Sequence, residues 1–156
     1  MSEKIYYSLP FRFEDFEKKT TTQKVDLKAS IQQNLRLLLG TALGKCRAEP
    51  SMGSKIHGHQ FSLSNKTMIG KKDEADFMVK LEQNIEAIIR RYEPRLSLKN
   101  VSVQLKTPEY ARRPLNFDGP IFQHDTLQLA ITIRGAVKAN FGQEDPLSME
   151  ESITLI

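Results

Sequence analysis

The sequence predicts an α+β domain with two amphipathic helices packed on one face of a small antiparallel sheet of three or more strands. Two apolar stripes at helical spacing come first, and three segments with strand-like patterning follow them. No strand–helix–strand alternation links the segments, which excludes a parallel doubly wound sheet.

Asp26 is placed to cap a first helix. Leu27, Ile31, Leu35, Leu38 and Leu39 then recur on one side, with Lys28, Ser30, Gln32, Gln33, Asn34 and Arg36 between them, and Gly40 offers a stop. Residues 45–49 read as extended, and Pro50-Ser51-Met52-Gly53 as a turn cluster. Residues 54–72 show no period and read as a loop, with Phe61 and Leu63 marking a short strand inside it. A second helix is expected from about Asp73. Asp73, Glu74 and Asp76 suit its positive end, and Phe77, Leu81, Ile85, Ile88 and Tyr92 form its buried stripe.

Two strands follow, Leu98 to Leu105 through Val101 and Val103, and Thr126 to Ala136 with Leu127, Leu129, Ile131 and Ile133 on one face. The roughly 19-residue connection between them is long for a compact domain. A last strand runs through Ser152-Ile153-Thr154-Leu155-Ile156. Ahead of the domain, Tyr7, Leu9, Phe11 and Phe13 alternate in an arm interrupted by Pro10. The arm either covers the protein's own core or docks on a partner. The expected organisation is an arm and linker over residues 1–24 and a single domain over 25–156.

The most informative tetrapeptide is Tyr92-Glu93-Pro94-Arg95, where the second helix ends. Glu93 sits against the negative end of the helix dipole, a mismatch of about 0.3–1 kcal/mol. Pro94 forbids helical continuation and pushes Glu93 toward extended geometry. The expected result is a stiff bend presenting a carboxylate and a guanidinium, and a local rule broken at a rigid bend often marks a working surface. An ordinary helix stop with solvated charges is the alternative.

Bulk properties narrow the function classes. The chain has 156 residues, a net charge of +4 and 27% charged residues, as a globular domain would. Its basic residues are scattered with no run longer than two, which argues against nucleic acid as a partner. A lone Cys46, no secretory leader and no long apolar span point to the cytoplasm and away from a membrane. His57 and His59 have the spacing of ligands on one strand face, but Gly58 and the absence of a second cysteine argue against a metal site. Glu49, Glu93, Asp118 and Asp125 could in principle pair for glycoside hydrolysis, yet no signature selects two of them. No phosphate-cradling loop or nucleophile elbow is present, and no cofactor is expected. The lack of catalytic motifs favours an assembly or binding protein.

One ordered set of features is more specific. Leu9-Pro10-Phe11 precedes the leucine-rich helix, then come Thr41, Gly44, Glu49-Pro50-Ser51-Met52-Gly53, a long helix, Glu93-Pro94-Arg95 and paired strands. This order, over residues 5–138, resembles the baseplate wedge family of contractile injection machines. That family includes the small wedge protein of phage tails and TssE of type VI secretion, and was once labelled lysozyme-like. The resemblance implies a non-enzymatic component that docks on larger wedge subunits and templates the first ring of the contractile sheath. It makes Glu93, Pro94 and Arg95 the wedge-docking element. It also implies a sheet to which strands of the sheath protein add, by backbone hydrogen bonding along an exposed edge. Ile153 and Leu155 of the terminal strand are candidate participants, an ordinary internal strand being the alternative. Leu9, Pro10 and Phe11 are candidate partner contacts. Lys45 departs from the acidic residue common in the family, Met52 from an aromatic one, and the tail from Gly142 is not matched. A peptidoglycan hydrolase using Glu93 or Glu49 is the competing class, and a nucleic-acid binder using Arg112 and Arg113 a third.

Overall fold

In the computed structural model, residues 5–7, 24–59, 71–106, 127–138 and 144–155 are described. A short ladder of β1 (Tyr6–Tyr7) and β2 (Lys24–Val25) leads into α1 (Leu27–Gly40). A 3₁₀ turn (Ile56–His59), the long α2 (Lys71–Tyr92) and the antiparallel sheet β3 (Leu96–Lys106), β4 (Leu127–Lys138), β5 (Glu144–Leu155) complete the order. The expected α+β architecture is therefore the one adopted.

Asp26 caps α1 as its side chain predicts, accepting the Ala29 amide at 2.8 Å. The stop is not made by Gly40, which is the last helical residue. Thr41 turns extended (φ −88°, ψ 124°), and both its amide and its hydroxyl donate to the Leu37 carbonyl. Ile31, Leu35, Leu38 and Leu39 are buried as their spacing requires, and Leu27 is partly buried at the edge of the same core. In α2 the buried stripe includes Ile89 beside Leu81, Ile85 and Ile88, while Phe77 and Tyr92 only flank it.

Residues 45–49 pair with no strand and bend at Arg47 and Ala48. Only one parallel bridge, Ala42 to Ser54, marks extended pairing in this stretch. The segment folds back onto the end of α1. Ser54 is fully buried and gives its hydroxyl to the Leu39 carbonyl at 3.0 Å, and His57 Nε2 lies 3.1 Å from the same oxygen. Ile56, 1% exposed, then plugs into the core. The stretch from Ser54 to His57 is thus anchored, contrary to its loop-like sequence. Phe61 and Leu63 lie outside the described residues.

Both helices pack on one face of the sheet. That face carries Val101, Val103 and Leu105 of β3, Leu129, Ile131 and Ile133 of β4, and Leu147, Met149 and Ile153 of β5. Leu96 and Leu98 join it although they have the opposite parity from Val101. A bulge between Leu98 and Asn100 shifts the register by one residue, so Lys99 is the extra residue that reconciles the two halves. The opposite face is polar and small-sided, with Ser102, Gln104, Thr132, Ser148 and Ser152.

Two glycines with positive φ test the turn geometry. At Gly53 (φ 116°) an added Cβ would lie 2.6 Å from the Thr41 carbonyl oxygen, whereas at Gly44 (φ 83°) it meets nothing within 4 Å. Gly44→Ala should cost only the backbone term, about 1–2 kcal/mol. Gly53→Ala adds a clash with main chain and should cost about 3 kcal/mol or more. Denaturant melts compare the two directly, and equal losses would contradict the packed turn.

Candidate docking site

The bend after α2 is a closed turn. The Glu93 amide still bonds to the Ile89 carbonyl at 2.8 Å, and the Leu96 amide returns to the Glu93 carbonyl at 3.1 Å. Pro94 occupies the second position of that turn, where its fixed φ is favourable. Strand β4 ties the turn down. The Lys138 amide donates to the Arg95 carbonyl at 2.9 Å and its ammonium to the Pro94 carbonyl at 3.1 Å.

The side chains reverse the expectation of an exposed carboxylate. Glu93 is fully buried, 0% exposed. Arg95 grips it with two hydrogen bonds, Nε to Oε1 and Nη2 to Oε2, each 2.6 Å. Asn34 adds a third donor to Oε2 at 2.9 Å and also reaches the Tyr92 carbonyl at 3.3 Å. Arg95 Nη1 donates to Ser30 Oγ at 3.1 Å, and the guanidinium lies over the Tyr6 ring, 5.6 Å from its centre. The two hydrogen bonds it donates to Glu93 are the main reason the Arg95 pKa is raised above its ordinary value. The physical reason for the reversal is that a carboxylate at a helix C-terminus is unfavourable unless neutralised, and a planar guanidinium two residues on does this in a forked geometry. What remains outside is Pro94, which is exposed, and about one-third of the Arg95 side chain.

A second polar group borders the bend. Glu49 accepts from the Ser51 hydroxyl and from Tyr92 Oη at 3.1 Å, Ser51 Oγ and Tyr92 Oη lie 2.6 Å apart, and Arg91 stands 4.0 Å away. The Ser51 and then the Tyr92 hydrogen bond hold the Glu49 carboxyl below its ordinary pKa. A hydrolase general acid needs the opposite shift. Glu93 is sealed and Glu49 is kept ionised, so neither described carboxylate is arranged as that acid. Asp118, Asp125, Arg112 and Arg113 lie outside the described residues.

The sheet supplies the other surface. The Val103 amide points away from β4 and donates to the Glu82 carboxylate of α2 at 2.8 Å. Backbone groups alternate sides along an antiparallel strand. Val103 pairs with Ile131, and Ile131 with Glu151, so Glu151 and its odd-numbered neighbours bond inward to β4. The backbone groups of Ser148, Glu150, Ser152 and Thr154 therefore face outward. Pro146 shares their parity, so its missing N–H also falls on the outer side. Among the described residues the β3 edge is covered at Val103 by α2, while the β5 edge is unpaired.

Of the sequence-derived candidates, Glu93, Pro94 and Arg95 are brought together at the bend, and Ile153 and Leu155 lie on the open strand. Ile153 faces the core, so the strand offers its backbone and not that side chain. Leu9, Pro10 and Phe11 lie outside the described residues. Sequence reasoning missed Ser30, Asn34, Tyr6 and Glu82. Asn34 left a signal, being a poor helix former placed between Ile31 and Leu35.

Arg95→Ala should leave the buried carboxylate without a counter-charge and destabilise the protein by about 3–5 kcal/mol. Denaturant melts of the variant and the wild type at neutral pH check this. Glu49 gives a pH response. Its depressed folded pKa contributes stability above the ordinary value of 4.5 that is lost as pH falls through the folded value. Glu49→Gln should remove that part of the acid sensitivity.

The comparisons agree with this geometry. No curated protein matches the chain. A Geobacter sulfurreducens protein, provisionally designated a tail lysozyme in its crystal structure, has the same fold at TM-score 0.58 and 20% identity, over 87% of this chain and 97% of that one. A chain of the type VI secretion baseplate complex superposes at TM-score 0.50 and 14% identity, over 81% of this chain and 92% of its own. The profile of the baseplate wedge protein gp25 family matches residues 25–141, which hold both helices, the bend and strands β3 and β4. The chain belongs to the baseplate wedge protein gp25 family.

Proposed function

We propose that this protein is a structural, non-enzymatic component of the baseplate of a contractile injection machine, of the type VI secretion or phage-tail kind. It docks on wedge subunits through the bend after α2 and templates sheath assembly by strand addition at β5. The observation that carries this reading is the family match over residues 25–141, which encloses the bend. Glu93 is the internal anchor of the docking element, while Pro94 and the exposed part of Arg95 are its contact surface. Tyr6, three residues before Leu9 in the sequence, lies against Arg95, which favours Leu9, Pro10 and Phe11 as further partner contacts. The open margin of β5 supplies a row of backbone donors and acceptors suited to a strand of the sheath protein.

No helix among the described residues is long and apolar enough to cross a membrane. The proposed setting is the cytoplasmic baseplate, with no nucleic acid, membrane or cofactor in its role. A lysozyme-like activity has the name of one structural relative in its favour. The sealed Glu93 and the ionised Glu49 weigh against it.

Docking is tested at Pro94, because Arg95 also stabilises the fold. Pro94→Glu places bulk and charge on the exposed tip of the turn. The variant should melt within a few degrees of the wild type yet recover at least tenfold less wedge subunit in a pull-down. Unchanged recovery would remove the bend as the docking element. In parallel, the wild-type protein should leave purified cell-wall suspensions turbid, and clearing would favour the hydrolase.

A further inference from the structure

We infer that the β5 margin selects a basic strand, one carrying Lys or Arg at alternate positions on its solvent side. The inference rests on the strand-addition reading above and names the chemistry of its partner. Strand β5 reads Glu144-Asp145-Pro146-Leu147-Ser148-Met149-Glu150-Glu151-Ser152-Ile153-Thr154-Leu155, with four carboxylates and no Lys or Arg. The chain as a whole carries +4, whereas β5 itself supplies only negative side chains, three of them paired with a cation of another element and Glu144 opposite Lys138.

The carboxylates divide by face. Asp145 and Glu151 lie on the helix side, where α1 engages them through Lys28 at 3.6 Å and Arg36 at 3.2 Å. Those pairs hold β5 to the domain and leave the strand's outer backbone clear. Glu144 and Glu150 lie on the opposite face, next to the outward backbone groups. Glu150 is 61% exposed, and its pair with Lys106 at 3.0 Å is itself at the surface, so it exchanges readily for another cation. An incoming strand would place alternate side chains beside Glu144 and Glu150, where opposite charge is favourable and like charge is not. Its other side chains would continue the apolar row of Leu147, Met149 and Ile153.

The same arrangement disfavours a second copy of this chain as the occupant. Two β5 strands side by side bring acidic strips together, and Pro146 withholds one donor from each. Pro146 therefore leaves a gap in the outward donor row between Glu144 and Ser148.

Two nine-residue synthetic strands with identical valines at alternate positions, one with lysines and one with glutamates between them, test the inference on the full-length chain. At low salt the lysine strand should bind roughly tenfold or more tighter, with the preference shrinking as salt is added. Hydrogen exchange should slow at the amides of Ser148, Glu150, Ser152 and Thr154. In a Glu144→Lys, Glu150→Lys variant the preference should reverse. Equal binding of both strands, or a preference that survives the charge reversal, overturns the basic-partner inference while leaving strand addition intact. If neither strand slows those four amides, strand addition itself is overturned. Self-association of the protein through the same amides would overturn the charge argument.

Discussion

The buried carboxylate of Glu93, held in the fork of Arg95, is the interaction on which the arrangement of helices depends. It is made at the C-terminus of α2, an unfavourable place for negative charge, and it is 0% exposed. Three donors satisfy it, two from Arg95 and one from Asn34. Through those donors a two-residue spacing in the chain becomes a junction between elements far apart in sequence. Ser30 and Asn34 bring in α1, Tyr6 brings in β1, and Lys138 brings in β4 through the turn carbonyls. A buried ion pair is weak evidence for net stability, because desolvation opposes the Coulomb gain. Its contribution here is geometric: a forked guanidinium accepts few alternative arrangements, so the angle between α2 and β3 is fixed.

The sheet shows a second division of labour. Its inner face carries an apolar row on each of the three strands, and the bulge at Lys99 keeps that of β3 continuous despite a change of parity. One margin is covered where Glu82 takes the Val103 amide, and the other remains unpaired among the described residues. Open edges invite uncontrolled pairing unless they are charged, interrupted or covered. Strand β5 is both charged and interrupted by Pro146. A rigid junction at one place and a guarded edge at another suit a protein whose partners bind at separate positions.

Much of this was legible in the residues. The leucine stripe of α1, its Asp26 cap and the period-two rows of β3 and β4 carry periodicity that only one kind of element can bury. Ser54 to His57 misled, since their anchoring depends on the Leu39 carbonyl, a long-range acceptor with no sequence signature. The bend stands out in the sequence by its broken dipole rule. Its inward direction was not readable, because burial of Glu93 is decided by Asn34, nearly sixty residues away. The length of β5 was underestimated for a similar reason: its acidic first half looks like a tail until β4 is beside it.

The central claim is that Glu93 and Arg95 act as one unit within the protein's own framework. A double-mutant cycle of Glu93→Gln, Arg95→Met and the double variant, followed by denaturant unfolding at neutral pH, measures this most directly. The account predicts a coupling of about 2 kcal/mol or more, with the double variant far less damaged than the sum of the single losses. Losses that add to within about 0.5 kcal/mol would contradict it.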